Sequence, residues 1–228
     1  MMNQGQAAIS SLHGLFPDRL FSVETVAAPM DQSQLHPSEL ALVRNAISKR
    51  KGEFAAGRYC ARRALARLQM GAPAILKDAS GCPIWPHGAV GSISHTKGCI
   101  VSVVGRSNQV VALGVDVDNR QTPFPVPILD RVCVPEELCW LQSMPHEAMM
   151  LHAWALFSVK ETIYKCVYSG TGDRLGFSDA RLDFDLRTGL FRAQLKRAVG
   201  PDQRTFLIGR VGYNEAHVFS GMWWLHER

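Results

Sequence analysis

Several short stretches carry side chains that could do chemistry. In Gly114-Val115-Asp116-Val117-Asp118, two carboxylates close an apolar run, Val110 to Leu113. Residues i and i+2 of a strand share a face, so Asp116 and Asp118 would stand side by side. Adjacent like charges repel unless a cation lies between them. Mg²⁺ takes one or two carboxylates together with phosphates and water; the plainer alternative is two solvent-facing acids at a strand end. In Phe157-Ser158-Val159-Lys160-Glu161, continuing to Lys165, Glu161 and Lys165 have i,i+4 spacing. An ordinary helix ion pair worth about 0.3–0.5 kcal/mol accounts for that. So does a helix that presents cations to a phosphate beside a metal-bound carboxylate. In Gly91-Ser92-Ile93-Ser94-His95-Thr96, His95 could contact a phosphate, exchange a proton or satisfy a turn. The basic cluster Lys49, Arg50, Lys51, Arg58, Arg62 and Arg63 is either a solvated helix face or a grip on phosphates.

These residues need elements to position them. His36-Pro37-Ser38-Glu39 reads as a helix start, with the helix running to about Ser48. A second helix is expected over Glu53 to Met70, where Phe54, Gly57, Ala61, Leu65 and Leu68 form a stripe, and Gly71 ends it. Residues 78–92 read as loop. Cys99–Val104 and Val110–Val117, joined through Gly105-Arg106-Ser107-Asn108, read as a hairpin. The Pro-rich stretch Thr122 to Pro127 reads as a linker or mobile loop. A short helix opens at Pro135, and a longer one covers residues 149–168, stopped by Gly170-Thr171-Gly172. Antiparallel strands are expected at Arg181–Leu186, Leu190–Leu195, Arg204–Tyr213 and Ala216–Leu225. Residues 1–35 look irregular. Helix followed by antiparallel strands, twice over, suggests an α+β layering.

The chain has 228 residues, 46% hydrophobic and 20% charged, which suffices for a packed core. Its formal net charge of +5 suits an anionic partner without choosing one. The six cysteines form no C-x-x-C pair, against a zinc ribbon or thioredoxin-like motif, and suit a reducing compartment. Met1 to Ser11 lacks a secretory pattern and no segment is long enough to span a bilayer, so the expected place is the cytoplasm. There is no P-loop, no G-x-G-x-x-G and no G-x-S-x-G. His146-Glu147 with His152 misses the zinc-protease spacing.

Taken in order, Ser92-Ile93-Ser94-His95, Gly114 to Asp118, and Phe157 to Glu161 with Lys165 resemble one family, the larger single-chain phosphopantetheinyl transferases of the enterobactin-synthetase component D branch. Phe54-Ala55-Ala56-Gly57-Arg58 and Gly81-Cys82-Pro83-Ile84-Trp85-Pro86 strengthen the resemblance. It implies transfer of 4′-phosphopantetheine from coenzyme A to a serine of an acyl, peptidyl or aryl carrier protein, leaving adenosine 3′,5′-bisphosphate. It implies two similar α+β lobes related by a pseudo-two-fold, residues 1–113 and 114–228, with coenzyme A between them in a monomer.

The resemblance also implies roles. Asp116 and Glu161 would hold Mg²⁺, or Mn²⁺ as the alternative ion, with Asp118 as third acid where the family usually has Glu. Lys160 and Lys165 would neutralise the leaving bisphosphate, and Ser94 and His95 would contact coenzyme A. Arg58, with Lys49 or Arg50, would hold the 3′-phosphate or adenine side, and Gly81, Cys82 and Pro83 would line the adenine pocket. Glu161, Lys165 or bulk water would take the serine proton. An acidic carrier would dock near Pro125 to Glu137 on Val126, Ile128 and Leu129. The competing readings are a Mg²⁺-dependent phosphohydrolase or nucleotidyl transferase, and a basic nucleic-acid-binding module, for which no fold signature is present.

Overall fold

A computed structural model describes residues 11–226. The expectation that Met1–Ser11 is no secretory leader therefore falls, Ser11 apart, outside the described residues. In chain order the elements are β1 (Phe21–Val26), α1 (Pro37–Ala41), α2 (Ser48–Arg67), β2 (Leu76–Lys77), β3 (Pro83–Ile84), β4 (Ala89–Thr96), β5 (Cys99–Arg106), β6 (Val110–Asn119), α3 (Leu129–Val132), α4 (Pro135–Gln142), α5 (His146–Thr171), β7 (Ala180–Asp185), β8 (Leu190–Val199), β9 (Arg204–Tyr213) and β10 (His217–Leu225).

Two antiparallel sheets, each under one long helix, make the α+β plan. The first has the order β1-β5-β4 and lies under α2; the second has the order β6-β10-β9-β8-β7 and lies under α5. β2 and β3 form a small separate ribbon. The residue patterns explain the layers. On β8, Phe191, Ala193 and Leu195 are buried while Leu190, Arg192 and Gln194 are exposed, the alternation of a one-sided strand. α2 buries Ala55, Ala56, Ala61, Ala64 and Leu65. α5 lies very close to β6 because of Gly114: a Cβ there would strike the Thr162 carbonyl oxygen and stand 2.9 Å from the Cys166 nitrogen. Only glycine permits that approach.

The sequence expectations need several corrections. β5 and β6 form no hairpin: β5 pairs with β1 and β4, and β6 with β10. The turn after β5 passes the chain from one sheet to the other. The real hairpin is β4–β5, closed by Lys97-Gly98 with Gly98 at φ 82°. β4 itself begins within the stretch read as loop, and β1 in the stretch read as irregular. The first helix is only Pro37–Ala41, held at its start by Glu39 Oε2, which accepts from the His36 nitrogen at 2.9 Å. α2 ends at Arg67, before Gly71, because Gln69 turns left-handed at φ 57°. β6 runs unbroken across residue 113 and pairs with β10 from Val110 onward.

Where the two sheets meet, β4 and β6 run side by side without a backbone ladder. Hydroxyls replace it. Ser92 Oγ accepts from the Val115 nitrogen at 3.1 Å, Ser94 Oγ from Val117 at 3.4 Å and Thr96 Oγ1 from Asn119 at 3.1 Å. These are the alternate N–H groups of β6, and the hydroxyls give them the partners that a buried strand edge requires. No helix among the described residues is long and apolar enough to cross a membrane.

Candidate active site

The seam carries the chemistry. Asp116, on β6, is 5% exposed and accepts from Ser94 Oγ at 2.7 Å and Lys165 Nζ at 2.5 Å on Oδ1, and from Ser158 Oγ at 3.0 Å on Oδ2. Burial opposes its charge, but the Lys165 ammonium and these hydrogen bonds outweigh burial and hold its carboxyl below the usual range. Lys165 also donates to Ser94 Oγ at 3.2 Å and to the Val115 carbonyl at 3.3 Å.

Asp118 has the Asp116 carboxylate, not a cation, as its side-chain hydrogen-bond neighbour. Its Oδ2 is buried without a hydrogen bond. Burial, then the charge of Asp116, pushes its carboxyl up to about 9. Glu161, from α5, lines the same cavity and is raised by burial, although Lys165 works against that shift. One ammonium thus serves an acidic end with three carboxylates.

The opposite wall of this cavity, about 440 Å³ in volume, is cationic. Arg58 is 4% exposed, donates through Nε to the Ile75 carbonyl at 2.7 Å and lies 4.3 Å over the Phe54 ring. Burial pushes its guanidinium down to about 10. Lys77 approaches the same ring at 5.2 Å, and burial, then Arg50 and Arg58, hold it below the usual lysine range. Arg50 donates through a terminal nitrogen to His95 Nε2 at 2.5 Å, with Glu53 4.0 Å from that nitrogen. Arginine can only donate, so Nε2 is the acceptor and the His95 ring is neutral, protonated on Nδ1. Burial first, and Arg50 second, lower the His95 pKa in agreement.

Gly81 and Pro83 line this cavity and also an adjoining one of about 660 Å³, which Cys82 joins with Trp85, Tyr164 and Tyr168. Two contacts bridge its mouth: Tyr168 Oη donates to Asp78 Oδ2 at 3.4 Å, and Arg174 to Ser80 Oγ at 2.7 Å.

Residues 38–105 match the family description "4'-phosphopantetheinyl transferase N-terminal domain", and residues 112–217 match "4'-phosphopantetheinyl transferase superfamily". The chain is 39% identical to the 4'-phosphopantetheinyl transferase Svp of Streptomyces mobaraensis over 171 residues, 74% of this chain and 69% of that protein. It is 35% identical to the 4'-phosphopantetheinyl transferase Npt of Nocardia iowensis over 175 residues, 77% of each chain. Enterobactin synthase component D of Salmonella austin is 31% identical over 160 residues, 67% of this chain and 65% of that protein. This chain belongs to the 4'-phosphopantetheinyl transferases. Membership disfavours the phosphohydrolase and nucleotidyl-transferase readings.

Within the transferase, the structure gathers Asp116, Asp118, Glu161, Lys165, His95, Arg50, Arg58, Gly81 and Pro83 around one cavity. It places one expected contact elsewhere. Lys160 is turned away: its ammonium donates to Glu137 Oε2 at 2.7 Å, the Val132 carbonyl at 2.7 Å and the Phe177 carbonyl at 2.9 Å, so every proton is used. Ser94 lines the cavity, but its hydroxyl is spent on the seam, donating to Asp116 and accepting from Val117 and Lys165. Of the expected docking anchors, Val126 is exposed, but Leu129 is 3% exposed and belongs to the core. Much of the basic cluster is paired: Arg62 with Glu39, and Arg63, like its neighbour Arg67, with Glu24. That weakens the nucleic-acid reading. All six cysteines are free thiols, and Cys60, Cys99, Cys133 and Cys166 are buried. Lys77 was absent from the sequence reading. A lone lysine beside a turn carries no signal until β2 brings it to Arg58.

Proposed function

We propose that this transferase moves 4′-phosphopantetheine from coenzyme A to a serine of an acyl, peptidyl or aryl carrier protein, and that it needs Mg²⁺ or Mn²⁺ to do so. One observation carries the reading: a single cavity has clustered cations (Arg50, Arg58 and Lys77) at one end and carboxylates with too few counter-ions at the other. A ligand with a terminal phosphate for the cationic end and a pyrophosphate that would be accompanied by a divalent cation at the acidic end satisfies both. In this reading coenzyme A lies between an N-terminal lobe, 1–113, and a C-terminal lobe, 114–228, and the enzyme is a cytoplasmic monomer.

The donor set fits a hard divalent ion. The orphaned Asp118 Oδ2 beside Asp116 lacks a positive partner that such an ion would supply. Among the described residues no three His, Cys, Asp or Glu side chains are gathered closely enough to hold a metal alone. That suits an open site completed by phosphates and water. Asp116, Asp118 and Glu161 are the residues that would hold the ion. Bound there, it supplies Lewis-acid polarisation of the pyrophosphate.

The chain's own groups do the rest. Arg58 and Lys77, with Arg50, bind the 3′-phosphate, and His95 orients a phosphate through its Nδ1–H. Gly81, Cys82 and Pro83 flank the adenine. The carrier serine oxygen attacks the phosphorus that bears pantetheine. The new P–O bond forms as the bond to the bisphosphate oxygen breaks, with the serine proton passing to Glu161. Lys165 offsets the charge that grows on the departing oxygen. An acidic carrier docks beside Val126 and Ile128.

The test is the intact mass of an apo carrier protein after incubation with the enzyme, coenzyme A and Mg²⁺. A gain of one phosphopantetheine, abolished by EDTA, is expected. No gain across acyl, peptidyl and aryl carriers, with a folded enzyme, would reject the reading.

A further inference from the structure

Behind the acidic end, away from the cavity, stands a row of hydroxyls that the chemistry above does not use. Ser158 and Thr162 share one face of α5, and Ser220 lies on β10 directly opposite Asp116 in the strand register. All three residues are 0% exposed, so no bulk water reaches them. Ser158 Oγ is 3.0 Å from Asp116 Oδ2 and 3.1 Å from Ser220 Oγ; Ser220 Oγ is 2.7 Å from Thr162 Oγ1.

Proton counting fixes the direction of the row. An ionised carboxylate only accepts, so the single Ser158 proton goes to Asp116. Ser158 must then accept from Ser220, and Ser220, its proton used, must accept from Thr162, whose hydroxyl also lies 3.3 Å from the Ser220 carbonyl, the longer of its two contacts. The donors run Thr162 to Ser220 to Ser158 to Asp116. Each donated bond polarises the next, which strengthens the last one. The row also divides the labour at Asp116: Lys165 and Ser94 hold Oδ1, and Ser158, at the end of the buried row, holds Oδ2. Gly114 packs here too, and its missing side chain lets the Thr162 turn of α5 come this close.

We infer that Ser220 and Thr162 are positioning residues that act through Ser158 to orient Asp116 for the divalent ion. This rests on the reading of Asp116 as a metal ligand. Partners behind a metal ligand govern its orientation and affinity, and their loss commonly weakens metal binding about 10–100-fold.

The test titrates Mn²⁺ into the full chain with coenzyme A present, followed by electron paramagnetic resonance, alongside thermal unfolding. Ser158→Ala, Ser220→Ala and Thr162→Val each weaken Mn²⁺ binding, Ser158→Ala by about 10-fold. Thr162→Ser, which restores the donor, binds as the wild type. Ser158→Ala combined with Ser220→Ala binds no more weakly than Ser158→Ala alone, because the row reaches Asp116 only through Ser158. Thr162→Val keeps the side-chain shape and serves if Ser220→Ala does not fold. Losses that multiply in the double variant, or variants that only lower the unfolding temperature, would overturn the relay. Asp116→Asn separates the two layers: if it alone abolishes Mn²⁺ binding, only the relay fails, and if it binds normally, the metal assignment fails and takes the relay with it.

Discussion

Helix α5 carries two lysine–carboxylate pairs little more than a turn apart, and they differ in completeness. At Lys160 the pair with Glu137 is sealed, with side-chain exposures of 1% and 3%. Glu137 accepts from Lys160, from the Val134 nitrogen at 2.9 Å and from the Leu182 nitrogen at 2.7 Å. Every donor has an acceptor, and the network ties α5 to α4, to the end of α3 and to β7. At Lys165 the pair with Asp116 is half open, at 26% and 7%, and it faces a cavity with Asp118 Oδ2 left unpartnered. Two lysines that look alike in sequence thus sit in opposite conditions. A satisfied ion pair holds a scaffold, whereas a deficient one marks where a ligand's charge belongs.

The largest effect expected from this contrast is at Asp116. Asp116→Ala removes a donor of the proposed metal site and should lower transfer by on the order of 10³-fold or more, with the fold retained. Carrier-mass turnover and thermal unfolding check both parts; normal turnover would erase the distinction between the two pairs. At the sealed pair the loss should appear in stability. Lys160→Met leaves the Glu137 charge buried and alone, at a cost of about 3–5 kcal/mol, measurable as a fall in the denaturant midpoint. Activity per folded molecule should be largely retained. A stable but inactive Lys160→Met would return Lys160 to the site.

The same contrast shows what the sequence could reveal. β7 and β8 were legible because their burial alternates, β10 because it is a nearly continuous apolar run, and α5 because its apolar positions recur at helical spacing. The cluster of Asp116, Asp118, Glu161 and Lys165 was legible because i,i+2 and i,i+4 spacings fix a shared face. Lys160 was misread because adjacency to Glu161 on a helix points the two side chains in different directions. β4 was hidden because its Ser92, Ser94 and Thr96 are spent on the seam, which removes the apolar half of a strand's alternation. The hairpin across residues 105–108 was misread because a turn signal says that the chain reverses and not which sheet receives it. Lys77 and Ser220 were invisible, since only tertiary contact gives them a role.

Lys165→Ala tests the open pair directly. It should lower kcat by about 10²-fold, more than it raises KM for coenzyme A, because the ammonium is needed most as charge develops on the leaving bisphosphate. Its cost in stability should be smaller than that of Lys160→Met, since the Asp116 carboxylate left behind lines an open cavity whereas Glu137 is sealed. A pure KM effect, from steady-state kinetics with coenzyme A varied, would make Lys165 a binding group and narrow the contrast with Lys160.

The smallest effect belongs to the cationic wall and sharpens the contrast from the other side of the cavity. Lys77 is held below its usual range by burial and by Arg50 and Arg58, so it occupies a position that a phosphate would relieve. Lys77→Met keeps most of the aliphatic stem and removes the charge that lies 5.2 Å over the Phe54 ring. KM for coenzyme A should rise about 10-fold with kcat little changed, as for a group that binds ground state and transition state alike. Dephospho-coenzyme A, which lacks the 3′-phosphate, supplies the control. Wild type and Lys77→Met should have nearly the same KM for it, because the interaction removed from the protein is already missing from the ligand. If Lys77→Met weakened both ligands equally, its charge would be acting on the pyrophosphate or on the fold. The cavity would then lose the separation between a wall that binds and an acidic end that reacts.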